Sequence, residues 1–327
     1  MPSSKVINHT IASDGYHIES VNNLNRPLQI STITACCNAP NVIINLKHVY
    51  DNTHLSDTIT YIELGNLNKG FAKKNNKKKR KKKPIKQFFN QLTLIIFCDI
   101  YKKLINVKIF LSGAIQITGL KSRYEALYII KKCELIIKNI HNNHTNNHNN
   151  LKHKKHKEHK EHKEHKEHKE HKEHKEHILQ RTEHNNTITF LNKQETFIYS
   201  SPKIVLINSD FTLFRNTPNR TINRNELYKI INKLRVFCSY EPCIYPGVNI
   251  KFYYNLNNNK HNGICYCKEK CMGKGNNHTE CKRVTIVVFQ SSKVIITGAN
   301  NHMQLMMTFI WIKNLVFNNI DKILVTK

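Results

Sequence analysis

Hydrophobic residues along the chain follow two periods. Alternating, β-branched runs at 28–37 (LQISTITACC), 58–64 (TITYIEL), 88–98 (FFNQLTLIIFC) and 203–213 (KIVLINSDFTL) predict strands with one buried face. Spacings of three and four predict helices at 42–50, where Val42, Leu46 and Val49 share a face after Pro40-Asn41, and at 224–234, where Leu227, Ile230, Ile231 and Leu234 do. In 121–140, Ile129, Cys133, Ile136 and Ile140 align, flanked by Ile130 and Ile137, so that helix is expected to lie on a core. A turn at Pro246-Gly247 enters a further strand that ends at Tyr254.

One pattern occurs twice. Residues 107–140 return at 286–319, a constant 179 positions later, with Phe110, Ser112, Ile117, Thr118 and Gly119 falling on Phe289, Ser291, Ile296, Thr297 and Gly298 without a gap. Each copy is a hairpin, turned at Ser112-Gly113 or Ser291-Ser292, that closes on Thr-Gly and feeds a helix. Neither copy buries its apolar face alone, so the halves are expected to pair about an approximate two-fold axis. Function is then expected on the surface they share.

Elsewhere the pattern lapses. Residues 1–26 are polar and aperiodic, a disordered arm; 67–86 are a basic loop insertion; 141–200 are a low-complexity linker that includes seven His-Lys-Glu triplets at 156–176; 255–282 are a Cys-rich insertion. What remains is two repeats, 27–140 and 201–320, and a tail, 321–327. The formal net charge is +29, of which 73–86 hold ten charges, so the rest of the chain is itself basic. Such a balance points to a polyanionic partner, and the basic run reads either as an import or phosphate-binding segment or as a tolerated surface loop. The first ten residues, MPSSKVINHT, lack the apolar stretch of a secretory signal, and no window approaches eighteen apolar residues. A soluble, intracellular protein with reduced cysteines is expected.

Two stretches carry a family resemblance. SYEPCIYPG at 239–247 resembles the SYEPELFPG stretch in the second repeat of the TATA-box-binding proteins. FLSGAIQITG and FQSSKVIITG resemble that family's F-x-S-G-x-x-x-x-T-G hairpins, in the same order and with the same duplication. The resemblance covers 27–66, 87–140, 203–254 and 283–319. It implies an α+β saddle, a pseudo-two-fold duplicated repeat whose curved antiparallel sheet carries helices on its convex face. It implies a general transcription factor that binds the minor groove of A/T-rich promoter DNA, bends it and nucleates initiation, with no catalysis and no required cofactor. The implied partners are double-stranded A/T-rich DNA, a transcription-factor-IIB-like factor and RNA polymerase, with no membrane, and the implied state is a monomer with internal pseudo-symmetry. The Asn/Lys bias and repeat expansions fit a large DNA virus, with the protein in the host nucleus, the viral factory or the virion.

Carried over by position, the aromatic wedges that enter base steps fall on Tyr245, where the family has Phe, and on Phe289; in the first repeat they fall on Phe89, or its neighbour Phe88, and on Phe110. The threonines at base edges fall on Thr118 and Thr297, other groove-facing positions on Gln116 and Ile295, and Lys121 is expected to reach a phosphate. Departures matter as well. The family's central asparagines fall on Leu28 and Ile204, Gln116 replaces a valine, and Asn300 replaces a lysine. These changes predict altered sequence preference or weaker binding. They leave open a degenerate scaffold of the same fold that binds proteins without bending DNA. No helix-hairpin-helix with catalytic Lys and Asp points to a glycosylase.

Cys265, Cys267, Cys271 and Cys281 form a C-x-C-x3-C-x9-C array in a Gly-containing loop. Four thiolates could hold a structural Zn²⁺, with His278 or His261 as substitute ligands, or the loop stays reduced and mobile. Cys36, Cys37, Cys98, Cys133, Cys238 and Cys243 fall in strand or helix patterns and read as packing.

Overall fold

A computed structural model describes residues 28–40, 42–70, 90–158, 187–190, 197–214, 220–256, 261–275 and 280–326. The first half runs β1 (Gln29–Asn38), β2 (Val42–Ile44), α1 (Leu46–Asn52), β3 (Ile59–Leu64), β4 (Leu67–Gly70), β5 (Gln91–Cys98), β6 (Lys103–Phe110), β7 (Ala114–Leu120), α2 (Arg123–Glu158) and β8 (Ile188–Phe190). The second runs β9 (Lys203–Thr212), β10 (Arg220–Ile222), α3 (Arg224–Lys233), β11 (Cys238–Ser239), β12 (Val248–Tyr254), β13 (Lys282–Val288), β14 (Lys293–Ala299), α4 (His302–Phe317), α5 (Ile320–Ile323) and β15 (Leu324–Thr326).

Eleven strands form one antiparallel sheet in the order β11-β12-β13-β14-β9-β1-β7-β6-β5-β3-β4. Outward from the central pair, β9 and β1, five strands of one half match five of the other, which is the internal symmetry expected of the duplication, and β4 is an extra edge strand of the first half. Side branches repeat too. β2 pairs with β8 after the long helix of the first half, and β10 pairs with β15 after the last helices of the second. Ile188–Phe190 thus completes the first half, although it lies within 141–200.

The clearest strands alternate strictly between buried and half-buried positions. On β5, Leu92, Leu94, Ile96 and Cys98 are buried and the intervening residues are not; on β12 the same holds for Val248, Ile250, Phe252 and Tyr254. The buried set packs against α2 and α4, with α1 and α3 at the flanks, so every long helix covers the same face. On α2 the inward residues are Ile129, Ile130, Cys133 and Ile137, with Ile136 partly buried beside them, as the spacing predicts. The expected α+β arrangement, a large antiparallel sheet with helices on one side, is present.

Local chemistry explains the ends. The Thr-Gly that closes each hairpin places Gly119 at φ 103° and Gly298 at φ 102°, where a side chain would be strained, and both sit at irregularities in the central register. Each following helix opens with reciprocal capping. Ser122 accepts from Glu125 N while the Glu125 carboxylate accepts from Lys121 N at 2.8 Å; Asn301 accepts from Gln304 N while the Gln304 amide oxygen accepts from Asn300 N at 2.9 Å.

Two expectations change. The helix expected over 42–50 is divided: Val42 and Ile44 point inward as a short strand, and Asn45 then caps α1 by accepting from His48 N at 3.0 Å. The helix expected to end at 140 continues to Glu158, through an Asn/His segment with no apolar face. The arm, the basic run from 71, Phe88 and Phe89, the triplets beyond 158, and His278 lie outside the described residues.

Candidate nucleic-acid interface

With helices on one side, the half-buried positions of the strands make up the other, uncovered face. At its centre two rows cross the halves. Thr118 pairs with Thr34 and then Leu206; Thr297 pairs with Asn208 and then Thr32. A rotation about the axis between β1 and β9 exchanges them. The Thr34 and Thr118 hydroxyls lie 3.5 Å apart, and the Thr297 hydroxyl donates to the Asn208 side-chain oxygen.

Asn208 was not visible from ungapped matching. Leu28 precedes β1, and Ile204 pairs with Ala35 away from the central rows, so the positions that motif alignment marks as the lost asparagines are not the central ones. An asparagine does occupy the centre, four residues along β9. The signal available in the sequence was the strict alternation of KIVLINSDFT, which puts residue 208 on the same face as 204 and 206.

Gln116 and Ile295 occupy equivalent places on β7 and β14, both half-buried on the uncovered face. Opposite Gln116 lies Cys36, whose thiol is therefore on this face and not in the core. The two halves differ in polarity here. Lys108 and Gln116 in the first correspond to Val287 and Ile295 in the second. Lys251 midway along β12 and Arg283 near the start of β13 add positive charge; burial, and then the Arg283 charge, hold Lys251 below the usual lysine range. Two acids interrupt the face among the described strands: Glu63 on β3, which accepts from the Tyr61 hydroxyl at 2.8 Å, and, nearer the centre, Asp210, which pairs with Lys293 at 3.5 Å and accepts from the Ser31 hydroxyl.

The expected wedge residues of the second half come together. Tyr245 and Phe289 meet edge to face, ring centroids 6.0 Å apart, at the end of β12 and β13. Tyr245 is 43% exposed. Gly247 makes this approach possible, because a Cβ there would lie 2.4 Å from Val287 Cγ1, 3.0 Å from the Tyr245 ring and 3.2 Å from the Phe289 ring. Arg224 braces both turns, donating to Pro246 O at 2.6 Å and to the Gln290 side chain at 3.1 Å. Ile244 beside Tyr245 is 80% exposed, an apolar tip that motif matching did not single out. In the first half Phe110 takes the place of Phe289 and pairs with Gln91 of β5; the expected partner, Phe89 or Phe88, lies outside the described residues.

Lys121 does not project freely. Its ammonium donates to Ile30 O and Ser31 O, both at 2.7 Å, which ties the start of α2 to the central strand.

The cysteines divide in two. Cys37, Cys98 and Cys133 are core residues, and burial, then the neighbouring Cys36, pushes the Cys37 thiol up to about 12. Cys243 departs from the packing expectation and lies exposed in the turn before Tyr245. Cys265, Cys267, Cys271 and Cys281 converge, their sulfur atoms all within 4.8 Å of one another, and could hold a metal ion. His261 instead stacks on the Tyr254 ring at 5.4 Å. Among the described residues, no helix is long and apolar enough to cross a membrane.

No family model matches the chain. It is 26% identical over 308 residues to a protein named TATA-box-binding protein-like from Acanthamoeba polyphaga mimivirus; the match takes in 90% of this chain and spans 66% of that protein's length. Methanococcus jannaschii TBP, a solved structure, overlaps 89% of this chain and 98% of its own at 16% identity, with a TM-score of 0.41. The resemblance drawn from the two hairpins and the SYEP stretch thus extends over nearly the whole chain to a viral TATA-box-binding-protein-like relative.

Proposed function

We propose that this chain is a TATA-box-binding-like transcription factor that lays the uncovered face of its sheet along the minor groove of A/T-rich DNA, bends the duplex and nucleates transcription. The observation that carries this is the Tyr245–Phe289 ring pair at one end of an uncovered, internally two-fold sheet face, with Phe110 at the corresponding place in the other half.

The face has the chemistry the minor groove calls for. A·T pairs offer only acceptors there, whereas G·C adds the guanine amino group. At the centre Thr34 and Thr118 keep one hydroxyl hydrogen between them beyond their mutual contact, and Asn208, having used its oxygen to accept from Thr297, keeps its amide hydrogens for an acceptor. Ile295 and Leu206 fill the groove floor without a polar demand, which disfavours the buried guanine amino group. At the end of the face, the rings can enter a base step, and the unstacking cost is offset by the additional surface that a bent duplex contacts. Lys108, Lys251 and Arg283 flank the groove as phosphate partners, and the +29 formal charge of the chain supports salt-sensitive association.

No catalytic step enters this account. A structural Zn²⁺ held by the four cysteines would lie at the end of β12 and β13 remote from the rings. Further partners are a transcription-factor-IIB-like factor and an RNA polymerase, with the protein acting in the host nucleus or viral factory. The rival role, a protein scaffold without bending, draws on Asp210, whose charge opposes DNA unless Lys293 neutralises it.

Base substitution separates minor-groove reading from basic adhesion. Replacing A·T by inosine·cytosine keeps the minor-groove surface free of the amino group while changing the major groove, and G·C restores the amino group. Binding measured by anisotropy should survive inosine·cytosine and fall on G·C. Equal affinity for all three duplexes would remove the minor-groove assignment.

A further inference from the structure

We propose that Cys265, Cys267, Cys271 and Cys281 bind one Zn²⁺ as four thiolates, and that this ion, rather than an apolar core, folds the insertion between β12 and β13. The inference is independent of DNA binding.

The duplication supplies an internal control. In the first half β5 passes to β6 through a turn at 99–102; in the second, residues 255–281 occupy the equivalent place. Among its described residues little apolar surface packs: Leu256, Tyr266 and Met272 are 66%, 52% and 56% exposed, and Ile264 is only partly buried against the core. So small an apolar contribution needs another source of order.

The sulfur geometry supplies it. Cys267 Sγ lies 3.5 Å from Cys281 Sγ, and Cys281 Sγ lies 3.7 Å from Cys265 Sγ. A tetrahedron with Zn–S bonds of about 2.3 Å has S···S edges of about 3.8 Å, so these spacings fit a single ion at the centre. They exceed the roughly 2.05 Å of a disulfide. A multi-iron cluster, whose thiolates bind different irons, needs a wider cage than one confined within 4.8 Å.

The ligands sit where a clamp is useful. Gly263, two residues before Cys265, accepts from Tyr253 N at 3.0 Å along the edge of β12; Gly273, two after Cys271, accepts from Arg283 N at 2.9 Å; and Cys281 directly precedes β13. One ion therefore ties both strand ends to the loop between them. Four thiolates and Zn²⁺ leave a charge of −2, and the exposed Lys268, Lys270 and Lys274, which outnumber Glu269 and Glu280, flank the ligands in sequence. Binding releases the thiol protons to solvent.

The full chain, purified with reductant and no added chelator, should contain about one equivalent of zinc by plasma mass spectrometry. Stripped and reloaded with Co²⁺, it should show the visible bands of a tetrahedral all-thiolate site, bleached by one equivalent of Zn²⁺. Cys271→Ser should lower zinc retention at least tenfold, and Cys243→Ser, which changes an exposed thiol elsewhere, should not. As a check on folding, a chain carrying residues 99–102 in place of 255–281 should fold without metal and bind none. Absence of both zinc and the cobalt bands in the native chain, iron as the bound metal, or disulfides linking these four cysteines under reducing conditions would each overturn the assignment.

Discussion

The Thr297 hydroxyl donates to the side-chain oxygen of Asn208 at the middle of the uncovered face, where the other half sets Thr34 against Thr118. The asymmetry places one amide at an otherwise hydroxyl-lined centre. Asn208→Ala should weaken binding to an A/T-rich duplex about 5- to 10-fold, on the order of 1 kcal/mol for one polar contact, with little change in melting temperature. Anisotropy titration beside thermal denaturation checks both parts.

Arg224 should govern how firmly the ring pair is held. It joins the turn at Pro246 to the turn at Gln290, and a lysine cannot span both acceptors with one planar fork. Arg224→Lys is expected to leave affinity within about threefold while reducing the bend, because the rings lose their brace and not their surface. Gly247→Ala goes further, since its Cβ meets Val287 and both rings; overpacking of about 1–3 kcal/mol is expected, with bending lost. Urea denaturation and duplex bending measured on the same preparations distinguish the two.

Asp210 is expected to oppose binding. Asp210→Asn removes its negative charge and releases Lys293 for a phosphate. Affinity should rise a few-fold, and the slope of log K against log salt should steepen by about 0.9, the value for one further neutralised phosphate. An unchanged slope would place Lys293 away from DNA.

The two helix entries provide a stability test within one molecule. Glu125 is 2% exposed, accepts from Lys121 N and pairs with Lys103 at 2.6 Å; Gln304 performs the capping role alone in the second half. Glu125→Gln should therefore cost about 1 kcal/mol, the Lys103 pairing, whereas Glu125→Ala should cost about 2 kcal/mol by also removing the acceptor of the part-buried Lys121 N–H. Midpoints of urea denaturation give the comparison.

Much of this was legible in the sequence, for physical reasons that can be located. The 179-residue offset held in three dimensions because Gly119 and Gly298 answer the same backbone demand, and the alternation of β5 and β12 followed from a sheet buried on one face. The division of 42–50 into strand and helix escaped because Val42, Leu46 and Val49 satisfy a helical spacing, while Val42 and Ile44 equally satisfy a strand's, and only the distant partner β8 decides. Asn208 escaped for a related reason. Motif alignment fixes a residue by its neighbours in sequence, but its place on the central row is set by pairing with β14 and β1. The four cysteines stood together in one array in the sequence, which left a metal site and a reduced loop both open, and their convergence in space favours the first.

The most direct test of the central claim is end-to-end fluorescence transfer on a short duplex labelled at both ends, titrated with the full chain. On an A/T-rich duplex the transfer should rise and saturate with protein, it should not rise on a G/C-rich duplex, and the joint Phe110→Ala, Phe289→Ala variant should abolish the rise while leaving the circular dichroism spectrum unchanged. Salt-sensitive binding to both duplexes with no change in transfer would contradict the account and leave the basic segments as the only DNA contacts.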